Sequence, residues 1–211
     1  MKHISKSQKQ DSKEIKGSED SFLLLGGSLK DEMLKDREIL INEEITEKLI
    51  ETVVMQIEKF NQEDDDAEME KVGYKREEHP IVLYLNTFGG NVYECFSIIS
   101  AIQSSSTPIF TCALGKAMSC GFMILCAGHR RFCQKYSTLM YHQISGGAMG
   151  KLNEIIENVE HMAQLQQIGD DLVLSSTSID ADKLKIVNER KTDWYMFAEE
   201  ALKLGVVDEI I

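Results

Sequence analysis

The chain has 211 residues, of which 43% are hydrophobic, and a formal net charge of −12. That length suits one domain, or one domain with an extension, and the apolar share can fill a sizeable core. The acidic balance excludes a nucleic-acid binder built on a basic patch, and the lack of any run of roughly 18 apolar residues excludes a membrane-spanning helix.

The first residues, Met1-Lys2-His3-Ile4-Ser5-Lys6, carry charge with no apolar stretch behind them, so no secretory signal is expected. Residues 1–20 are polar, rich in lysine and serine, and without period, the pattern of a disordered or docking arm. Ser21 to Gly27 is a short apolar patch, a strand or a segment that orders against a neighbouring subunit. We delimit an N-terminal arm over residues 1–37 and a single domain over residues 38–211. Glu38-Ile39-Leu40-Ile41 is a strand candidate. Ile45, Leu49, Val53, Ile57 and Phe60 then recur at helical spacing. Residues 61–79 break that spacing with the acidic run Gln62-Glu63-Asp64-Asp65-Asp66-Ala67-Glu68, which reads as a solvated insertion loop.

Ile81-Val82-Leu83-Tyr84-Leu85 is the continuous apolar run of a strand buried on both faces, and it ends at Asn86-Thr87-Phe88-Gly89-Gly90. A helix is predicted from Val92 to Gln103, a strand from Ile109 to Leu114, and a helix from Gly121 to Ala127. Strands follow at 130–133 and 138–142. The stretch from Lys151 to about Ser178 is one long helix with the stripe Leu152, Ile155, Ile156, Val159, Met162 and Ala163, longer than most globular helices. A helix from Ala181 to Glu189 leads to Asp193-Trp194-Tyr195. A closing helix, Phe197 to Leu204, stops at Gly205 before a last strand, Val206-Val207. Strands alternating with helices predict an α/β fold of right-handed βαβ units with a mostly parallel sheet.

The cysteines Cys95, Cys112, Cys120, Cys126 and Cys133 lie mostly in apolar segments, and none forms a Cys-x-x-Cys pair. They read as reduced thiols in a cytoplasmic protein. His129 and Cys133 have no second pair to complete a metal site, so neither metal nor cofactor is expected. The chemistry concentrates at Gly115-Lys116-Ala117-Met118-Ser119-Cys120-Gly121. A serine between a strand and a helix has its hydroxyl lifted clear of the sheet, beside free helix N–H groups, where an acyl-transfer nucleophile would sit. Serine is also among the commonest helix N-caps, and the turn alone does not separate the two roles. Cys120 is an alternative nucleophile. Gly89-Gly90, at a strand end, can turn backbone N–H groups toward an oxyanion, or simply make a tight turn. His142 can be a base or a satisfied structural group, and Asp193 a catalytic acid or an N-cap.

Taken together, the Gly89-Gly90 turn, Ser119, the run Leu139-Met140-Tyr141-His142-Gln143-Ile144-Ser145-Gly146-Gly147, and Asp193-Trp194-Tyr195-Met196-Phe197-Ala198-Glu199-Glu200-Ala201 resemble the Clp protease proteolytic subunit family over roughly residues 38–211. The resemblance implies a crotonase-like fold of repeated ββα/βαβ units with a protruding handle helix over residues 151–178. It implies a serine endopeptidase in which Ser119 is the nucleophile, His142 the general base and Asp193 the group that orients the imidazole. The N–H groups of Gly90 and Cys120 would form the oxyanion hole. Gly89, Asn91, Gln143 and Ile144 would hold substrate, which pairs as an added strand with the glycine-rich strand after His142. Also implied are a homo-oligomer of stacked heptameric rings, an AAA+ unfoldase ATPase as partner, unfolded polypeptides as substrates, and an arm that lines an axial pore. No nucleic acid or membrane is involved. The chain departs from the family at Thr87-Phe88, where Ser-Pro is usual, at Ile144, where Pro is usual, and at Cys120, where Met is usual. These changes bear on substrate preference and loop rigidity. A non-catalytic ring subunit and a crotonase-fold acyl-CoA enzyme are the alternatives.

Overall fold

A strand can return parallel to its predecessor only after a crossover, and the helices of this chain supply the crossovers. The computed structural model describes residues 36–211, so the apolar patch at 21–27 and most of the arm lie outside the described residues. The strands are β1 (Glu38–Ile41), β2 (Ile81–Thr87), β3 (Ile109–Met118), β4 (Arg130–Cys133), β5 (Thr138–Tyr141), β6 (Trp194–Phe197) and β7 (Glu209–Ile210). The helices are α1 (Met55–Glu70), α2 (Val92–Ser104), α3 (Cys120–Cys126), α4 (Leu152–Ser176), α5 (Ala181–Arg190) and α6 (Ala198–Lys203). All strands join one sheet. Its parallel path runs β1-β2-β3-β4-β7, and β5 pairs with β3 in parallel and with β6 antiparallel. Among the described residues no helix is long and apolar enough to cross a membrane.

β3 changes partner halfway along. Phe110–Ala113 pair with β4, while Lys116–Met118 pair with β5. Between the two, the buried Ser137 hydroxyl donates to the carbonyls of Ala113 and Leu114, at 2.8 and 2.9 Å, and the Gln134 N–H joins it on Ala113 O at 2.9 Å. This change brings the end of β5, and with it His142, alongside the exit of β3. α3 packs against β3 and is buried along its whole length, as its sequence Cys-Gly-Phe-Met-Ile-Leu-Cys demands. Phe122, Ile98, Ile102, Leu83 and Leu85 fill the centre of the core, each worth about 1.5–3 kcal/mol on full burial.

Five details differ from the sequence expectations. β2 alternates between buried and half-buried residues, so one face packs on the core and the other is only part-covered. The segment from Gln143 to Gly150 forms no strand. A strand, β6, occupies Trp194–Phe197, and the last strand is Glu209–Ile210 rather than the buried Val206-Val207, whose N–H groups turn back to the Ala201 carbonyl. Most of all, residues 61–70 are helical, and only 71–79 are turns and irregular backbone.

The helix that opens with a π turn at Ile50–Val54 continues through the acidic run to Glu70. Its inward positions continue at Ile57, Asp64 and Ala67, with a carboxylate where the pattern calls for an apolar side chain. Asp64 is 1% exposed. It accepts from both Arg37 guanidinium nitrogens, at 3.0 and 2.7 Å, and from the Tyr74 and Thr107 hydroxyls. Asn61 adds hydrogen bonds from Thr107 N and the Ser105 hydroxyl, both 3.0 Å. α1 is thereby tied to the start of β1 and to the turn before β3.

Burial raises the affinity of Asp64 for a proton, but the hydrogen bonds from Thr107, Tyr74 and Arg37 together outweigh it and hold the carboxyl below its ordinary range. A carboxyl lowered in the folded state stabilises fully above its unfolded pKa, near about 3.9, and loses that stabilisation as pH falls through the lower folded value. Asp64→Ala leaves the Arg37 guanidinium without its carboxylate and should cost about 3–5 kcal/mol near neutral pH. Calorimetry should show a lower Tm at neutral pH and a gap from wild type that narrows as the medium is acidified. Equal Tm values at neutral pH would refute this account.

Candidate active site

Leaving β3, the chain has one residue in which to turn into α3. That residue, Ser119, has φ 54° and ψ −120°, a conformation that costs a residue with a side chain. The turn is held from two sides. Ser119 N–H donates to Met140 O on β5 at 2.8 Å, and Ser119 C=O accepts from the Phe122 and Met123 N–H groups at 3.0 and 3.2 Å. Ser119 occupies the N-cap position of α3, yet its side chain makes no capping hydrogen bond. The hydroxyl instead lies 2.8 Å from His142 Nε2. His142 is half-buried and follows the last residue of β5. The hydroxyl therefore faces the histidine and does not cap the helix.

The Gly89-Gly90 turn closes over this serine. Gly89 has φ 107°, and a Cβ there would sit 2.8 Å from the Ser119 Cβ and 2.9 Å from Met118 O. A Cβ on Gly90 would sit 2.3 Å from Ile45 O. Gly90 bridges Ile45 in parallel, through Ile45 N–H to Gly89 O at 2.9 Å and Asn91 N–H to Ile45 O at 2.8 Å. In such a bridge the bonds are made by the flanking groups, so Gly90's own N–H and C=O face the other way. Gly90 C=O there accepts from Cys120 Sγ at 3.2 Å. The Cys120 N–H opens α3, one of the first-turn donors with no intrahelical acceptor.

A cavity of about 340 Å³ lies over these groups and is lined by Gly90, Asn91, Ser119, Cys120, His142 and Ile144. Asn91 also caps α2, accepting from Tyr93 N–H at 2.9 Å. Of the other nominated residues, Gly89 lines a neighbouring cavity of about 430 Å³ together with Phe88 and Lys116, and Gln143 is exposed and off both. Asp193 is exposed and makes no hydrogen bond to His142 among the described residues. It is not an N-cap either, because it precedes β6, and Phe197 caps α6. The β5–β6 ladder ends at the pair Tyr141–Trp194. One further step of that register sets His142 opposite Asp193, and opposite residues of an antiparallel pair share a face.

Sequence reasoning missed Gln166. From α4 its Oε1 accepts from Ile144 N–H at 2.6 Å, and its Nε2 donates to the Tyr141 hydroxyl at 2.9 Å and to Asp170 at 2.8 Å. Asn188 donates to the other Asp170 oxygen at 2.8 Å, and the Tyr141 hydroxyl donates to Asp170. Burial, reinforced by Asp170, pushes the Tyr141 pKa up, so the phenol stays a donor. This network fixes Tyr141 and Ile144, one on each side of His142, to α4 and α5. A lone glutamine in mid-helix carries no sequence signal for such a role. Met123, Gly169 and Glu44, which complete part of the cavity wall, were equally unannounced. Cys120 is the weaker nucleophile candidate, since Ser119 Oγ and not the thiol faces the imidazole.

The model of the Clp protease family matches residues 26–211. A protein of Borreliella afzelii (strain PKo) described as "ATP-dependent Clp protease proteolytic subunit" is 29% identical over 181 residues, which cover 85% of each chain. With a match across nearly the whole sequence, and a serine turned toward a histidine between two strands of its sheet, this chain belongs to the Clp protease family.

Proposed function

We propose that the chain is a serine endopeptidase, the proteolytic subunit of an oligomeric Clp-type protease that cleaves unfolded polypeptides. The observation that carries this reading is the 2.8 Å contact between Ser119 Oγ and His142 Nε2 on a strained strand-to-helix turn. Ser119 Oγ attacks the scissile carbonyl while His142 Nε2 takes its proton, and the imidazolium returns that proton to the departing amine. The N–H groups of Gly90 and Cys120 receive the oxyanion of the tetrahedral intermediate. Water then attacks the acyl-enzyme by the same route. Asp193 is the third member of the triad. Catalytic hydrogen bonds tighten when substrate binds, and the register supports closure of the His142–Asp193 pair at that stage. Substrate lies along the cavity beside Asn91 and Ile144.

The fold is the crotonase-like fold of repeated units, and α4 is its handle. The C-terminal half of α4 packs on the domain through Leu165, Gly169, Leu172 and Val173, while Leu152, Ile156 and Val159 stand exposed along the other half. An apolar stripe of that kind supports burial against another subunit. Stacked heptameric rings in the cytoplasm, fed by an AAA+ unfoldase through a pore lined by the N-terminal arm, complete the proposal.

Three variants test it. Ser119→Ala should lower hydrolysis of a fluorogenic peptide by about 10⁴-fold or more and abolish labelling by a fluorophosphonate, with assembly unchanged. Near wild-type hydrolysis by this variant would remove Ser119 from the mechanism. Asp193→Asn should lower kcat by about 10⁴-fold at unaltered Tm, because asparagine favours the wrong imidazole tautomer. An unchanged kcat would leave a dyad. Val159→Glu would bury an unpaired charge at several kcal/mol and should break the particle into smaller species in analytical ultracentrifugation. A large particle that survives the change would count against the handle.

A further inference from the structure

The serine mechanism uses the backbone of Cys120 but not its sulfur, and it does not use Cys95 at all. Cys95 lies in the first turn of α2, wholly buried, and its Sγ–H points at Cys120 O, 3.4 Å away. Cys120 lines the cavity beside the nucleophile, with its Sγ–H on Gly90 O. Cys95 Sγ thereby lies against the residue that carries the Cys120 thiol. Donation from Cys95, set against burial, holds the Cys120 thiol below its ordinary range, while burial pushes the Cys95 thiol up. The other cysteines contrast with this pair. Burial pushes Cys112 up to about 11, Cys126 to about 12 and Cys133 to about 11, and none of the three lines the cavity.

We propose that Cys120 is an oxidisable thiol reached by small hydroperoxides through the substrate cavity, and that Cys95 resolves it to a Cys95–Cys120 disulfide that reversibly switches hydrolysis off. The Cys120 thiolate attacks one oxygen of hydrogen peroxide, the O–O bond breaks, hydroxide leaves, and Cys120 becomes a sulfenic acid. The Cys95 sulfur then attacks Cys120 Sγ. The S–O bond breaks, and the hydroxyl leaves as water with the Cys95 proton. The electron pair lost by the sulfurs goes to the peroxide, and a dithiol reductant restores both thiols. An S–S bond takes Cys120 Sγ off Gly90 O and draws the backbone carrying one proposed oxyanion donor toward α2. This effect on hydrolysis rests on the serine-peptidase reading, whereas the thiol chemistry does not.

The test treats the full-length assembled protein with hydrogen peroxide, then alkylates free thiols and maps peptides by mass spectrometry without reduction. The expected result is a Cys95–Cys120 linked peptide lacking both thiol hydrogens. Peptide hydrolysis should fall by about 10²-fold, the scale of losing one oxyanion donor, and return with dithiothreitol. In Cys95→Ala, the Cys120 sulfenic acid has no resolving thiol, so it should proceed to sulfinic acid and the loss should persist after reduction. No linked peptide in the wild type overturns the proposal, whatever the variant does. A linked peptide with undiminished hydrolysis overturns the switch. A linked peptide in a protein whose reduced form hydrolyses nothing leaves the thiol site standing and removes the peptidase reading.

Discussion

The left-handed backbone of Ser119 is the constraint on which the site depends. A residue with a side chain holds φ 54° only when its surroundings overdetermine it, and here they do. β5 accepts its N–H, the first turn of α3 donates to its carbonyl, and α3 itself is buried from end to end. The turn leaves the hydroxyl without a backbone partner and aimed at His142. Had the residue taken ordinary N-cap geometry, the same hydroxyl would be spent on the first turn of the helix.

On its inner side the turn is closely packed. β3 must part from β4 before β5 can approach, and Ser137 satisfies the carbonyls exposed in the gap. The Gly89-Gly90 turn then fits between Ser119 and Ile45, at distances no Cβ tolerates. Thr87 secures it, taking the Gly89 N–H at 3.0 Å and donating to Glu43 O at 2.6 Å. Close approach of backbone to backbone is what places N–H groups of two different loops at one cavity. The Gln166 network does for the far side what Thr87 does here, fixing the strand end that carries His142 to a helix.

Two polar centres, one buried and one half-buried, therefore frame the domain. One, around Asp64, joins α1 to the sheet far from the cavity. The other, around Asp170, joins α4 and α5 to β5 beside it. Each carboxylate is met by several donors, which for the fully buried Asp64 is the condition under which a buried charge is tolerated. The thiols of Cys95 and Cys120, each on a backbone carbonyl, form a third centre of a softer kind, between α2 and the Ser119 turn.

The sequence by itself determined the βαβ alternation, the strand and helix on either side of Ser119, and the family, because these rest on local hydrophobic period and on short motifs in a fixed order. It also nominated Ser119, His142, Gly90 and Cys120. The tertiary structure alone decided the rest. α1 runs through the acidic stretch because Arg37, Tyr74 and Thr107, all distant in sequence, satisfy Asp64, and a period count scores that carboxylate as polar surface. β6 was invisible because four residues of mixed polarity become a strand only when β5 is there to pair with them. Gln166 gained its role from a helix packing beside a strand end. Whether the Ser119 hydroxyl capped a helix or faced a histidine was a question of direction, and direction is fixed by packing, which a linear pattern does not contain.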